Sequence, residues 1–233
     1  CTFYKKIMKK NTISVVIPCF NEQNYIEKTI NDVLNKTDVD EIIFVDDAST
    51  DRSVEIVKNI KNNKIKIIKN SKNLGKGESL KNGFNYVTSD IIVIQDADNE
   101  YLPEDINELV IPFYERDADF VIGNRFQSIK YRKIGYFIHT LFNKIITLMV
   151  NLKTNNNFCD VECGYKAFKS NILKRVNLKE KSFGFEIELL IKVAKMKVKI
   201  FEVAVSYNAR KYSEGKKIKF IDALRAFYCL IRY

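Results

Sequence analysis

The chain has no tryptophan, one histidine, three prolines and eight glycines among its 233 residues. So little glycine and proline excludes collagen-like and low-complexity proteins, and a 46% hydrophobic content excludes a disordered chain. The single histidine, His139, falls in an apolar helical pattern and gives no support for a histidine-centred hydrolase. No Gly-Lys-Ser/Thr sequence is present for a P-loop, and Leu80 breaks the dinucleotide-type motif that Gly75 and Gly77 would begin.

Long apolar runs and secretion signals are also missing. No apolar stretch reaches the ~20 residues of a membrane-spanning helix, and the nearest, 134–150, is interrupted by polar side chains. The five cysteines are an odd number, and only Cys159 and Cys163 lie close together, without partners that would complete a zinc site. We therefore expect reduced thiols in a cytoplasmic protein, with residues 1–11 as an N-terminal extension.

Basic residues are in excess, with 39 Lys and Arg against 29 Asp and Glu and a formal net charge of +10. Such a balance favours nucleic acid, an anionic membrane surface or phosphorylated substrates as partners. The lysines are scattered through helices and loops, and no helix-turn-helix, zinc-finger or RNA-binding signature is present. A non-catalytic binder of nucleic acid or anionic surfaces is therefore the remote alternative, and we expect no nucleic-acid partner.

Short β-branched runs alternate with helical patterns over the first hundred residues, which is typical of successive βαβ units. Strands are predicted at 13–17, 41–45, 65–68 and 91–95, and Asn21 is a candidate N-cap for the first helix. Looser alternation follows, with a long helix at 136–150 and a basic C-terminal helix from Phe220. The pattern predicts an α/β fold with a mostly parallel central sheet flanked by helices, in a single compact domain over 12–233.

Acidic side chains follow three of the four predicted strands. They are Glu22 after the first strand, Asp46 and Asp47 after the second, and Asp96, Asp98 and Glu100 after the fourth. Ligands of open α/β sheets bind at the carboxyl ends of parallel strands, so these carboxylates should converge on one edge. Their repulsion would raise their pKa values unless they share a cation. The alternating carboxylates of 96–100 suit Mg²⁺ or Mn²⁺, which substrate phosphates would complete.

Several segments together closely resemble the family 2 glycosyltransferases with the Rossmann-like GT-A fold. In the first half they are 16–22 (VIPCFNE), 43–51 (IFVDDASTD), 73–77 (NLGKG), 96–98 (DAD) and 123–125 (GNR). Within that family, 160–168 (DVECGYKAF), 184–189 (GFEIEL) and 210–216 (RKYSEGK) are similar to the polyprenyl-phosphate and dolichyl-phosphate mannose or glucose synthases. The absence of tryptophan excludes a Gln-x-x-Arg-Trp signature, which argues against a processive polysaccharide synthase.

The resemblance implies an inverting, metal-dependent transfer of a hexose, glucose or mannose, from UDP-glucose or GDP-mannose to a polyprenyl or dolichyl phosphate. It divides the domain into a nucleotide-sugar half, 12–100, and an acceptor half, 101–233. The nucleotide-binding residues that it implies are Pro18, Phe20, Glu22, Val45, Asp46, Asp47, which would hydrogen-bond the base, and Lys216.

The resemblance also assigns the metal and acceptor sites. Asp96 and Asp98 match the metal-binding carboxylates, and Glu100 falls where some members of the family place a further ligand. Arg125 would face the acceptor phosphate, and Arg210 would approach the donor diphosphate together with Lys216. Two residues come from the pattern itself and complete the predicted acceptor site: Arg132, in the basic stretch before 134–150, and the carboxylate Glu186. The predicted catalytic set is Asp96, Asp98, Arg125 and Arg210.

The chemistry of such a reaction agrees with these residue types. A departing nucleoside diphosphate develops negative charge that a divalent ion and basic side chains stabilise. A lipid phosphate is already anionic and needs no general base, whereas a glycan or protein hydroxyl, the alternative acceptor, needs a carboxylate nearby. Asp160, Glu186 and Glu188 are the candidates for that base, although the last two equally fit ordinary charges on an exposed helix face.

Two helical patterns could meet a membrane surface. The C-terminal pattern spaces Ile221, Leu224, Tyr228 and Ile231 on one face among basic residues, as in an interfacial helix. The 134–150 pattern follows a basic stretch that would meet lipid phosphates. We expect a peripheral protein at the cytoplasmic face of a membrane; the alternative is that both helices only cover the sheet.

Overall fold

Seven strands form one sheet in the computed structural model, which describes residues 11–127, 133–182, 184–210 and 220–233, the side chains of 220–224 excepted. The strands are β1 (Ile13–Cys19), β2 (Glu41–Asp46), β3 (Ile65–Lys69), β4 (Ile91–Ile94), β5 (Phe120–Asn124), β6 (Lys166–Lys169) and β7 (Ile200–Ala204). Their order across the sheet is β3-β2-β1-β4-β6-β5-β7.

All neighbouring strands are parallel except β6, which is antiparallel to both β4 and β5. Every residue of β1, β4 and β5 is buried, as expected for strands that helices cover on both faces. The predicted α/β class and mostly parallel sheet are thus confirmed, and the β-branched runs that predicted the strands form the core.

Seven helices flank the sheet in the described part of the chain. They are α1 (Ile26–Lys36), α2 (Ser53–Asn59), α3 (Lys76–Phe84), α4 (Asp105–Glu115), α5 (Phe137–Thr154), α6 (Gly184–Lys195) and α7 (Phe220–Arg232), with a 3₁₀ turn at Ser170–Ile172. The predicted N-cap is wrong, because α1 begins at Ile26 and Asn21 adopts a left-handed φ of 52°. The side chain of Asn21 instead accepts a hydrogen bond from the backbone N–H of Thr50.

Helix α3 lies directly on the sheet and brings its N-terminus to the carboxyl ends of the strands. A Cβ added at Gly83 would lie 2.7 Å from Cγ1 of Val16 and 2.8 Å from Cγ2 of Val45. The glycine therefore permits a close approach of α3 to β1 and β2 that a larger residue would prevent. This approach places Lys76, the first residue of α3, at the acidic edge of the sheet.

Helix α5 carries large apolar side chains on two opposite faces. Its buried face packs against the domain through Asn143, Ile146, Thr147 and Val150. Among the described residues, no helix is both long enough and apolar enough to cross a membrane. The described cysteines are all free thiols, as predicted; Cys159 is exposed and the other three are buried.

Candidate active site

The carboxyl ends of β1, β2 and β4 meet at one edge of the sheet and carry the acidic residues that the sequence placed there. The loop after each of these strands contains a non-glycine residue with positive φ: Asn21, Ala48 and Asn99, with φ between 52° and 59°. Backbone strain of this kind concentrates at binding and catalytic loops.

Asp47 fixes the loop that follows β3. Its carboxylate accepts hydrogen bonds from the backbone N–H groups of Leu74 and Gly75, each at 2.8 Å, and from Nδ2 of Asn70 at 2.8 Å. Asp46 accepts a hydrogen bond from the backbone N–H of Ser49 at 3.0 Å. The two aspartates therefore hold the loops around the predicted base site, and contact of Asp47 with a base stays a prediction.

The other predicted nucleotide residues gather at the same edge. Pro18 and Val45 are register partners at the ends of β1 and β2, and both are buried. Phe20 is half-buried in the loop that follows β1. Lys216 and Arg132 lie outside the described residues.

Lys76, for which the sequence predicted no role, bridges two of the predicted site residues. Its Nζ lies 2.7 Å from Oδ1 of Asp96 and 2.7 Å from Oε1 of Glu186, and Nζ of Lys166 lies 3.6 Å from Oε2 of Glu186. Burial alone would lower the pKa of Lys76, but the charges of Asp96 and Glu186 outweigh it and raise that pKa. Glu186 is therefore a paired, largely buried carboxylate, and its reading as an ordinary charge on an exposed helix face is wrong.

Arg210 binds the acidic cluster formed by Glu22, Asp96, Asp98 and Glu100, on the side away from Lys76. Its Nη2 donates to Oδ2 of Asp98 at 2.8 Å and its Nη1 to Oε2 of Glu22 at 3.0 Å. The carboxylate of Glu100 accepts hydrogen bonds from the backbone N–H of Arg210 at 2.8 Å and from the Tyr207 hydroxyl at 2.7 Å. Burial raises the pKa of Asp98 to about 7, and the charges of Asp96 and Glu100 add to this effect.

The residues present fit a divalent ion that takes only two ligands from the protein. Among the described residues, no three His, Cys, Asp or Glu side chains group closely enough to hold an ion. The Glu100 carboxylate accepts hydrogen bonds from Tyr207 and Arg210, and its contact with an ion stays a prediction. Asp96 and Asp98 offer the hard oxygen donors that Mg²⁺ and Mn²⁺ prefer. A Cβ at residue 164 would lie 2.6 Å from Oδ2 of Asp96, so only glycine fits beside the Asp96 oxygen that Lys76 does not bind.

Arg125 forms a bidentate ion pair with Asp160. Its Nε and Nη2 each donate to the carboxylate at 2.7 Å, and Nδ2 of Asn143 donates to the same group at 2.6 Å. Burial would raise the pKa of Asp160, but the charge of Arg125 outweighs it and lowers that pKa. Asp160, a candidate base for a hydroxyl acceptor, is therefore fully occupied by donors. The guanidinium of Arg125 also lies over the ring of Tyr207, 5.1 Å from its centroid.

Two further carboxylates near the acceptor half differ in their surroundings. Glu188 is buried, accepts hydrogen bonds from the backbone N–H groups of Lys179 and Glu180, and pairs with Lys192, so it is not an exposed helix charge. Glu162 is half-buried and has no hydrogen-bond or ion-pair partner within the described ranges. Burial raises its pKa to about 7. No pattern in the sequence distinguished Glu162, although it lies in the 160–168 segment.

The strand order and the acidic edge match the GT-A fold. The sequence profile of glycosyl transferase family 2 matches residues 14–176. The chain belongs to glycosyl transferase family 2.

Relatives and solved structures agree with this assignment. The chain is 27% identical to a UDP-N-acetylglucosamine–dolichyl-phosphate N-acetylglucosaminyltransferase of Methanococcus voltae, over 96% of each chain. It is 28% identical to a dolichol-phosphate mannosyltransferase of Pyrococcus furiosus, over 95% of this chain and 64% of that protein. Glucosyl-3-phosphoglycerate synthase of Mycobacterium tuberculosis, solved with Mn²⁺, UDP-glucose and phosphoglyceric acid, shares the fold with a TM-score of 0.77 and 22% identity, covering 96% of this chain and 79% of that one.

Proposed function

We propose that this protein transfers a hexose from a nucleotide diphosphate sugar to a polyprenyl or dolichyl phosphate at a membrane surface, with Mg²⁺ or Mn²⁺. The observation that carries the lipid acceptor is the outer face of α5, which is apolar and exposed. The oxygen donors of Asp96 and Asp98, with Arg210 beside them, support the donor site.

The donor half of the proposal rests on charge. Asp96 and Asp98 would hold the ion, which when bound would neutralise negative charge on the departing diphosphate. Nη2 of Arg210 lies 2.8 Å from Oδ2 of Asp98, so its guanidinium would stabilise the same negative charge. Structures of the mycobacterial synthase with Mg²⁺ and UDP, and with Mn²⁺ and UDP-glucose, support this choice of ion and donor class.

The membrane half of the proposal rests on α5. Successive helix turns expose large apolar side chains on the face opposite to the buried one. They are Phe137, Ile138, Leu141, Ile145, Leu148 and Leu152, the last 77% exposed. Lys144 and Lys153 lie on the two sides of this stripe at helical spacing. An apolar face bordered by lysines suits insertion at the boundary of an anionic bilayer.

A phosphate acceptor also agrees with the state of the site's carboxylates. A lipid phosphate attacks as an anion, so no side chain needs to remove a proton. Asp160 and Glu186, two of the predicted bases, are each bound by a cation of the chain and are poor proton acceptors. The two relatives whose names give dolichyl or dolichol phosphate support the same acceptor class.

The proposal is tested by product formation with purified protein. The protein is incubated with Mn²⁺ and labelled UDP-glucose, GDP-mannose or UDP-N-acetylglucosamine, in parallel with polyprenyl phosphate in vesicles and with soluble glycan or peptide hydroxyls. We expect a labelled glycolipid from one of the donors. Product on hydroxyl acceptors alone, or no product from any pair, would contradict the lipid-phosphate assignment.

Transfer to a hydroxyl is a second candidate function, and Glu162 is the observation that favours it. A carboxyl with a pKa of about 7 and no bonded partner in the described ranges suits a general base, and the charges of Arg125 and Glu186 act on it. With a hydroxyl acceptor, Glu162→Gln should lower kcat by about 100-fold or more. With a lipid phosphate acceptor, the same substitution should leave kcat within about threefold of its original value, because no proton is removed.

A further inference from the structure

The guanidinium of Arg210 is enclosed by three carboxylates and an aromatic ring. Its Nη groups bind Asp98 and Glu22, and its Nε lies 3.5 Å from Oε1 of Glu100. The guanidinium carbon lies 5.1 Å from the ring centroid of Tyr25, and the side chain is only 9% exposed. Arg210 therefore neutralises part of the same acidic cluster that contains the proposed metal ligand Asp98.

A divalent ion and this guanidinium compete for one carboxylate. Nη2 of Arg210 already occupies Oδ2 of Asp98, and Oδ1 accepts the backbone N–H of Glu100 at 3.1 Å. An ion on Asp98 would lie a few ångströms from a permanent positive charge, because arginine does not lose its proton in proteins. Repulsion between the two cations must weaken the binding of the ion or displace the side chain.

Neighbouring contacts hold the backbone of Arg210 independently of its side chain. The backbone N–H of Arg210 donates to Glu100, whose carboxylate also accepts the Tyr207 hydroxyl. The ring of Tyr207 packs between Tyr101, with centroids 5.0 Å apart, and Arg125. The guanidinium can therefore change partners while its main chain stays anchored beside the site.

We propose that Arg210 is an internal counter-ion of the metal site, which excludes the divalent ion until a nucleoside diphosphate offers the guanidinium a new partner. The ion alone adds two positive charges next to Arg210. An ion that arrives with a diphosphate adds compensating negative charge, and Arg210 moves from carboxylate to phosphate oxygens, which bind guanidinium groups equally well. The nucleotide step rests on the proposed function; the competition for Asp98 does not.

The test is a titration with Mn²⁺ in the absence of nucleotide, in which electron paramagnetic resonance measures the free ion. We expect Arg210→Gln to bind Mn²⁺ about tenfold more tightly than the unchanged protein, since a charge-assisted competitor is removed. The matched control is Arg116→Gln, which removes one positive charge from an exposed position just after α4, at the opposite edge of the sheet. It should leave the affinity for Mn²⁺ unchanged.

A second variant, Tyr25→Leu, leaves the net charge unchanged. It therefore separates competition for Asp98 from the effect of losing a positive charge, and it can still be measured if Arg210→Gln does not fold. Tyr25→Leu removes the ring that packs on the guanidinium and should tighten Mn²⁺ binding by about threefold. With UDP or GDP present, the order should reverse, and Arg210→Gln should bind the Mn²⁺ and nucleotide together about tenfold more weakly.

The counter-ion role would be overturned if, without nucleotide, both Arg210→Gln and Tyr25→Leu bound Mn²⁺ no more tightly than the unchanged protein. It would also be overturned if Arg116→Gln gained as much affinity for Mn²⁺ as Arg210→Gln. The Mn²⁺ titration requires no sugar transfer. A protein that shows the expected tightening but makes no glycolipid would refute the proposed function and leave the competition intact.

Discussion

Three cations of the site, Lys76, Arg125 and Arg210, each bind a carboxylate remote in the sequence. The separations are 110 residues for Lys76 and Glu186, 35 for Arg125 and Asp160, and 112 for Arg210 and Asp98. The sequence indicated the acidic strand ends because those residues follow recognisable strands. It could not indicate these pairs, since the partners come together only when α3, α6 and the segment after β7 pack at one edge.

Removing Lys76 should destabilise the fold. Lys76→Met leaves the largely buried Asp96 and Glu186 without their common cation, and we expect a loss of about 3 kcal/mol in the free energy of unfolding. The control is Lys81→Met on the same helix, which breaks only the i,i+3 pair with Glu78 and should cost about 0.5 kcal/mol or less. Urea denaturation measures both, and equal losses in the two variants would contradict the bridging role of Lys76.

Glu162 should make stability depend on pH. Its pKa is about 7 in the folded protein against an ordinary value of 4.5, so the folded state holds a proton that the unfolded chain releases. Stability from this group is complete below about pH 4.5 and is lost as the pH rises to about 7. Glu162→Gln should therefore raise the free energy of unfolding by about 1–2 kcal/mol near pH 8 and by little near pH 4.

Glu188→Gln is the matched control and should act in the opposite direction. Burial would raise the pKa of Glu188, but its bonds with Lys192 and two backbone N–H groups lower that pKa, so its stabilisation is present above the ordinary value and lost at acid pH. Urea titrations at both pH values distinguish the two cases. A Glu162→Gln protein that is less stable than its parent near pH 8 would contradict the description of that carboxyl.

At the scale of elements, sequence patterns predicted β1 to β4, α5 and the start of α7 within a few residues of their observed bounds. The exceptions have local physical causes. The first helix begins later than predicted because Asn21 takes a left-handed conformation that ties two loops together. The sequence also did not show which face of α5 is buried, because the helix carries large apolar side chains on both sides.

Gly83 should be required for the docking of α3. Alanine has the higher helix propensity, by about 1 kcal/mol, yet its Cβ would press on side chains of Val16 and Val45. We expect Gly83→Ala to lower the free energy of unfolding by about 1–3 kcal/mol. Gly135→Ala is the control, because a Cβ there meets no atom within 4 Å. Thermal unfolding that shows a more stable Gly83→Ala protein would contradict the close contact of α3 with the sheet.

Substitutions at two adjacent isoleucines of α5 should affect membrane binding and stability separately. Ile145 is 39% exposed on the outer stripe, whereas Ile146 is fully buried. Ile145→Ser should weaken binding to anionic vesicles by about tenfold with little loss of stability. Ile146→Ala should lower the free energy of unfolding by about 2–4 kcal/mol. Vesicle sedimentation and urea denaturation make the comparison, and unchanged vesicle binding by Ile145→Ser would exclude the outer face as the membrane contact.

For the whole molecule, the positions of several lysine and arginine side chains partly explain the net charge of +10. Lys76, Arg125 and Arg210 neutralise carboxylates inside the site, and the lysines of α5 border its exposed apolar face. The alternation of strands and helices predicted the single α/β domain. The antiparallel direction of β6 was not predicted, because strand direction in the second half depends on long-range packing rather than on local pattern.

The central claim is that the acidic edge is a metal-dependent nucleotide site, and titration calorimetry of UDP and GDP with and without Mn²⁺ tests it most directly. We expect one nucleotide to bind with Mn²⁺ and to lose at least about 100-fold in affinity when the ion is chelated or when Asp98 is changed to Asn. The control Asp117→Asn alters an exposed carboxylate paired with Lys169 and Lys199, and should bind normally. Nucleotide binding that is unaffected by both chelation and Asp98→Asn would contradict the account.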